Sequence, residues 1–507
     1  MDVLRKGGSA VDAAVAVQAM LSLVEPQSSG LGGGAFLVHF DAAEGKVRVF
    51  DGRETAPAGA TPDMFLGADG EPVRRGPAML SGRATGVPGV VAMLKMAHDE
   101  KGVLPWRELF ETTAQRAEQG FVVTDRLERF IHGNAPQAQA PDVLAYFKGA
   151  RAGDQLRNPA YAAFVRRLAA QGPDALYRGP TAERIVARLR SGPLPGTMTL
   201  ADLAGYKPVA REPLCGSYRL LLVCTPPPPA SGVGLLQLLA ILERTDIADR
   251  GPNDPQAWFL FAEASRLMYA DRDALVGDPA FVNVPVRAML EPSYIAKRTA
   301  LIGRTAAPAP QAGIVPVGAD ATQEPAGTSH FVIVDARGNA VSMTTTVESF
   351  FGSGRMVDGF FLNNQMTDFS LRPEGPNAIA PGKRPRSSMT PLIALDAQGR
   401  FVAALGSPGG NAILAYVAKT AVGLFDWGLP MQDAIALPNL VARGNAFNGE
   451  ASKMPPPVVA GLKARGITVV SGSGEDSGLH GVIRRGGVLE GGADPRRDGV
   501  ARAESRR

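Results

Sequence analysis

The chain has 507 residues, 45% of them apolar and 20% charged, the balance of a globular protein with room for one layered unit or two to four domains of roughly 100–200 residues. Lys and Arg number 53 against 49 Asp and Glu, a net +4, and they are scattered along the chain, which excludes the clustered basic stripe of a nucleic-acid binder. No apolar run reaches the roughly 18 residues a membrane span needs, and glycine (59) with proline (41) points to many tight turns.

In chain order, the first eight residues lack the basic, apolar and small-residue succession of a signal peptide. As written the chain reads as cytoplasmic; a start further upstream would make it periplasmic or secreted. Residues 9–24 predict an Ala-rich, mostly buried helix with Ser9 as N-cap. The alternating runs 35–40 and 46–50 predict a hairpin. The middle of the chain carries helical patterns at 106–118, 181–189, 233–242 and 256–274, broken by the prolines at 226–229. Cys215 and Cys224 flank one apolar strand-like stretch, 216–223, and two cysteines are too few for a disulfide framework. The five histidines are scattered and no HExxH pairs two of them, so neither a metal site nor a cofactor is expected.

Residues 304–327 carry four prolines and little periodicity, and read as an exposed linker. Strands follow at 329–334 and 340–346, then at 392–395 and 401–405, and a helix at 411–424. Hairpins mixed with helices in both halves predict antiparallel sheets layered with helices, an α+β chain.

Five stretches have the composition of a chemical site. Gly30-Leu-Gly-Gly-Gly-Ala35 fits a degenerate dinucleotide fingerprint, but a helix precedes it and a strand follows, the reverse of what a pyrophosphate needs; a tight glycine turn is the favoured reading. Gly406-Ser-Pro-Gly-Gly410 lies between a strand and a helix start, where its N–H groups suit an anion or an oxyanion. Thr328 stands where the linker meets a strand, after Gly327. A threonine hydroxyl becomes a nucleophile when its own α-amine is its base, which here requires the chain to cut itself at Gly327–Thr328. Residues 363–370 and 383–391 are dense in short polar side chains, which by themselves suit turns and caps.

Together these residues resemble the γ-glutamyltranspeptidases. The small-subunit motifs are Gly327-Thr-Ser-His-Phe-Val-Ile-Val-Asp335, Leu362-Asn-Asn-Gln-Met-Thr-Asp-Phe-Ser370, Lys383-Arg-Pro-Arg-Ser-Ser-Met389 and Gly406-Ser-Pro-Gly-Gly410. Gly7-Gly-Ser-Ala-Val-Asp-Ala-Ala14, Gly30-Leu-Gly-Gly-Gly34, Arg53-Glu-Thr-Ala-Pro57 and Ala270-Asp-Arg-Asp273 are similar to those of the large subunit, all in the family's order. The resemblance implies an N-terminal-nucleophile hydrolase: a four-layer αββα sandwich built from one precursor cut into a large subunit, 1–327, and a small subunit, 328–507. It implies Thr328 as nucleophile, Thr346 as the second threonine beside it, and Gly409 and Gly410 as the oxyanion donors. Arg53 would clamp the substrate α-carboxylate with help from Ser387 and Ser388; Asp368, with Gln365 and Glu348 near it, would take the α-ammonium.

The implied substrate is a glutathione-like γ-glutamyl amide, with water or an amine as acceptor. Glu348 stands where many members have Asn, and the stretch from Asp368 to Lys383 is short, which predicts an open pocket. Both features keep a glutaryl- or cephalosporin-type acylase as an alternative. A nucleotide-binding protein using residues 30–35 and an uncut, non-catalytic binding module are the readings from other classes.

Overall fold

The computed structural model describes residues 1–314, 322, 327–471 and 477–504. Its centre is two antiparallel sheets. The first has five strands in the order Val209–Arg211, Lys46–Asp51, Gly34–Asp41, Ala340–Glu348, Gly327–Val334. The second has six, in the order Val488–Ala493, His480–Arg485, Phe401–Gly406, Leu392–Leu395, Leu221–Thr225, Leu214–Tyr218. Side chains alternate across each strand, and this alternation builds the layers. Val38, Phe40 and Val49 of the first sheet meet Ile393, Leu395 and Phe401 of the second. Leu37, Phe50 and Met343 point the other way, into the core under the helices Ala10–Val24 and Val90–Lys101. Val223, Leu392 and Leu405 likewise face Gly232–Glu243, Pro255–Leu275 and Ile413–Phe425. The result is the expected αββα order, an α+β sandwich.

Each sheet joins a block of strands from before Gly327 to a block from after it. A cut at that point leaves each sheet's ladder hydrogen bonds in place. Among the described residues no helix is long and apolar enough to cross a membrane.

The predicted hairpin forms, pairing Phe36 with Asp51 through Asp41 with Lys46. Ser9 caps its helix in a reciprocal box: Asp12 N donates to Ser9 Oγ (3.1 Å) and Ser9 N to Asp12 Oδ2 (2.8 Å). Of the expected linker, residues 304–314, 322 and 327 are described and the rest lies outside the described residues.

Three expectations need correcting. The stretch between the cysteines is a hairpin, not one strand: Arg219, at φ +55°, and the exposed Leu220 turn the chain without a glycine to announce it. Cys215 and Cys224 therefore face each other across the ladder and form a disulfide. The helix predicted at 106–118 breaks at Phe110 into a 3-10 turn, Trp106–Leu109, and a helix, Glu111–Gln119. The helix expected from 411 opens as a 3-10 turn, Gly410–Ala412, before Ile413–Phe425.

Candidate active site

Thr328 sits on the edge strand of the first sheet, paired with Thr346 of its neighbour. The register slips between Gly327 and Thr328, so that Gly327 pairs with Glu348 and Val347 is bulged out. Glu348 takes φ +79°, an unfavourable conformation for a side-chain-bearing residue, held here by the surrounding hydrogen bonds. Gly327 has no alternative: a Cβ there would lie 2.5 Å from the Ser349 carbonyl carbon.

The bulge brings three oxygens together. Thr346 Oγ1 donates to the Gly327 carbonyl at 2.7 Å, and Thr328 Oγ1 donates to Thr346 Oγ1 at 3.1 Å. The Glu348 N–H donates to Thr346 Oγ1 at 2.8 Å and orients it. The Thr328 carbonyl accepts from Arg497 Nη1 at 2.9 Å. On the opposite strand face Ser329 Oγ donates to Glu25 Oε2 at 2.9 Å. On the same strand face as Thr328, His330 contacts Thr344 Oγ1 through Nδ1 (2.9 Å). Its ring lies against Gly406, where a Cβ would come within 2.4 Å of it. Burial first, and then the nearby His480, hold the His330 imidazole well below its usual range.

A small cavity opens at Thr328. Thr346, Arg53, Glu348, Gln365, Asp368, Ser387 and Gly410 line it with Thr328, and Met389 and Ile413 supply its apolar wall. The roomier surface cleft beside Asn283, Tyr294 and Lys297 holds none of the predicted residues. Ser388 and Gly409 stand just behind the lining. Ser388 Oγ accepts from Arg272 Nη2 at 2.6 Å, and Gly409 (φ +137°) packs on the Tyr416 ring, where a Cβ would clash at 2.7 Å. Gly410 also has positive φ, at +54°. The consecutive glycines thus turn the chain from the strand Phe401–Gly406 into the helix that follows.

The groups expected to hold opposite ends of a substrate are closed on each other. Arg53 Nη2 donates to Asp368 Oδ2 at 2.6 Å and to the Arg386 carbonyl at 2.8 Å, and Gln365 Nε2 also donates to Asp368 Oδ2. Both members of the ion pair are buried, so each depends on the other to offset its lost hydration. Gln365 Oε1 is buried with no hydrogen-bond partner among the described residues.

Glu348 accepts from Asn364 Nδ2, from Thr367 Oγ1 (3.2 Å) and from Arg75 Nη2 (3.4 Å). Burial, reinforced by the Asp368 charge, pushes its carboxyl well above the carboxylate range, which favours the neutral acid. The expected open pocket is absent. Thr328, Arg53, Glu348 and Asp368 are all under 5% exposed. The short stretch before Lys383 folds back on itself, with Lys383 Nζ donating to the Pro376 and Ala378 carbonyls, both at 2.8 Å.

The glycines at 30–34 leave no room for a nucleotide phosphate. A Cβ would meet the Phe361 carbonyl oxygen at 2.2 Å from Gly32 and that of Thr346 at 1.9 Å from Gly33. They are there so that this turn can approach the backbone at Thr346 and Phe361. No cluster of ligands for a metal ion occurs among the described residues.

Sequence reasoning missed Arg497, Arg75, Asn364 and Glu54. Glu54 is fully buried behind Arg53, with Nη1 of Arg53 at 3.7 Å and neither carboxyl oxygen hydrogen-bonded among the described residues. Burial pushes its carboxyl up to about 8. Its position inside the Arg53 motif was the one available signal.

Comparison with known proteins gives the chain's family. The family model described as Gamma-glutamyltranspeptidase matches residues 1–504. The chain is 34% identical to the "Glutathione hydrolase proenzyme" of Bacillus subtilis strain 168, over 99% of this chain and 88% of that one. It is 36% identical to the "Acylase ACY 1 proenzyme" of Pseudomonas sp. strain SE83, over 98% and 90%. The solved cephalosporin acylase from Bacillus halodurans superposes with a TM-score of 0.86 at 25% identity, covering 100% of this chain and 93% of that chain. A family match over nearly the full length, on a fold and a motif set that agree with it, makes the chain a member of the γ-glutamyltranspeptidase family.

Proposed function

We propose that the protein is a self-cleaving γ-glutamyl hydrolase and transferase acting on glutathione-like γ-glutamyl amides. The observation that carries this reading is the Thr328–Thr346–Gly327 oxygen cluster opening on the same small cavity as the Arg53–Asp368 pair. The relatives' printed names, proenzyme in both cases, support a processing step.

In that step Thr328 Oγ attacks the Gly327 carbonyl carbon, and Thr346 donates to the oxygen that gains charge. The Gly327–Thr328 C–N bond breaks as the proton lost by Thr328 Oγ passes to the Thr328 nitrogen, and water then hydrolyses the resulting ester. The products are a large subunit, 1–327, and a small subunit, 328–507, held as a heterodimer by the shared sheets. Thr328 now carries a free α-amine, with an ordinary pKa near ~8, which serves as its general base.

A γ-glutamyl group enters with its α-carboxylate on Arg53, whose planar fork suits it, and its α-ammonium on Asp368 and Gln365 Oε1. The internal ion pair is thereby exchanged for two substrate contacts. Ser387 adds a hydroxyl, and Ser388, oriented by Arg272, backs it. Selection for the ammonium rests on Asp368. Gly409 and Gly410 supply N–H groups to the tetrahedral oxyanion, and the acyl group leaves Thr328 for water or an amine.

Glu348, its carboxyl pushed up by burial, and the acylase relative favour one other reading, an acylase for glutaryl-type amides. Turnover of γ-glutamyl and glutaryl anilides separates the two. A glutaryl group leaves Asp368 without its ammonium, so the proposal expects the γ-glutamyl anilide to be favoured at least ~100-fold in kcat/KM. Equal or inverted preference would establish the acylase. Turnover by an uncut Thr328→Ala protein would overturn both.

A further inference from the structure

The disulfide occupies the least secure end of its hairpin. Between Leu214–Tyr218 and Leu221–Thr225 the rungs run from Tyr218–Leu221 at the turn to Leu214–Thr225 at the open end, and Cys215–Cys224 is the rung next to that open end. The hairpin forms one edge of the six-stranded sheet. A ladder frays first at the end farthest from its turn, and a covalent rung there holds the two chains together where they part. Cys215 is partly exposed and Cys224 is buried.

Both chains that leave this clamp run to groups proposed to hold the substrate α-carboxylate. Back from Cys215, the chain reaches Arg211 on the edge of the first sheet, whose Nε donates to Asp51 Oδ2 at 2.8 Å. Asp51 Oδ1 in turn accepts from the Arg53 N–H at 2.8 Å. Forward from Cys224, the chain enters Pro226–Pro229, a stretch with fixed φ and no backbone N–H of its own. This bend ends on Ser387. The Pro229 carbonyl accepts from Ser387 N at 2.9 Å, and Ser231 Oγ donates to the Ser387 carbonyl at 2.7 Å. Arg272 ties Ser231 to Ser388, through Nε at 2.9 Å and Nη2 at 2.6 Å. A Cβ on Gly232 would lie 2.2 Å from the Pro226 carbonyl oxygen, so the bend is closely packed and transmits the position of Cys224 to the two serines.

We propose that the Cys215–Cys224 disulfide positions Arg53, Ser387 and Ser388 for the substrate α-carboxylate, and that its reduction by a dithiol weakens donor binding reversibly. The inference rests on the γ-glutamyl reading. Both cysteines precede Gly327, so the proposed cut leaves the bond within one subunit. In the exchange a thiolate of the dithiol attacks the sulfur of Cys215, the more exposed of the two residues. The S–S bond breaks, and Cys224 leaves as a thiolate and takes up a proton. The second thiol of the dithiol then displaces Cys215 and departs as a cyclic disulfide. Two electrons pass to the protein, which gains two thiols and keeps its backbone ladder, with the open end of the hairpin now free to fray.

The test uses the cut enzyme, dithiothreitol, a thiol count under native conditions, and a γ-glutamyl anilide beside its α-carboxamide analogue. As two thiols appear, KM for the γ-glutamyl anilide should rise about fivefold, one hydrogen bond's worth of binding, while kcat stays within about twofold. The α-carboxamide brings no charge to Arg53 and should show no change, a distinction that general loosening of the fold would not produce. Reoxidation should return KM to its starting value. The double substitution Cys215→Ser, Cys224→Ser should match the reduced wild type and ignore dithiothreitol. Two thiols with an unchanged KM, a loss confined to kcat, or equal losses on both anilides overturns the inference while leaving γ-glutamyl transfer intact. A bond that resists dithiothreitol overturns the reversible weakening, and the substituted protein then decides the positioning role. A wild type that turns over no γ-glutamyl donor refutes the function reading instead, and the positioning role with it. Should the substituted protein not fold, reduction and reoxidation of the wild type decide.

Discussion

Thr346→Val removes one hydroxyl and keeps the shape of the side chain. In the uncut chain that hydroxyl donates to the Gly327 carbonyl at 2.7 Å and accepts from Thr328 Oγ1 at 3.1 Å. Both bonds lie on the atoms that react in the proposed cleavage, and the site is buried, so the loss falls on the transition state. A single donor of this kind is worth about 10²–10³ in rate, roughly 2.7–4 kcal/mol. The substitution also leaves the buried Glu348 N–H without its acceptor, which costs about 1–3 kcal/mol of stability. The two effects separate experimentally. Self-cleavage of freshly purified precursor is followed on denaturing gels, and stability by urea unfolding. Cleavage of the valine protein should slow by at least ~100-fold even where it remains fully folded, and Thr346→Ser should restore most of the rate. A folded Thr346→Val protein that cuts itself at the wild-type rate would refute the role given to this hydroxyl.

Three further expectations follow from the same geometry. Asp368→Asn leaves Arg53 buried without its counter-charge; it should destabilise the protein by about 3–5 kcal/mol in urea unfolding and shift anilide preference away from γ-glutamyl. Glu54, pushed up to about 8 by burial, keeps a proton in the folded chain that the unfolded chain has released above its ordinary value of 4.5. Its contribution to stability therefore falls as pH rises through that window and is lost above 8, so Glu54→Gln should gain stability over wild type between pH 5 and pH 9; a difference independent of pH would contradict this. Arg497→Met frees the Thr328 carbonyl and should slow self-cleavage by about fivefold, the worth of roughly 1 kcal/mol, with partial rescue by Arg497→Lys; an unchanged rate would remove Arg497 from the site.

Much of this was legible in the sequence because the relevant residues come in short runs. The strand beginning at Gly327, the turn at 406–410 and the polar stretch at 363–370 each carry their residues in consecutive positions, and local rules apply to them. The hairpin at 214–225 was hidden because Arg219 and Leu220 carry no turn signature, so the disulfide went unseen with it. Two of the other misses are long-range. Arg497 reaches Thr328 across 169 positions, and Arg75 reaches Glu348 across 273. The closing of Arg53 on Asp368 spans 315. Periodicity and spacing carry no information about such pairs. The pocket was expected open from the short stretch before Lys383, but length alone does not say that the segment turns back and that Arg53 and Asp368 hold each other.

The central claim is that the chain cuts itself before Thr328 and uses the amine it exposes. Intact-mass analysis with N-terminal sequencing of the purified protein tests this most directly. Scaled by length from 53.1 kDa, the account predicts fragments of about 34 and 19 kDa, the smaller beginning Thr-Ser-His-Phe, as an N-terminal threonine nucleophile requires. A folded protein that stays at full mass, or a cut at any other bond, would contradict it.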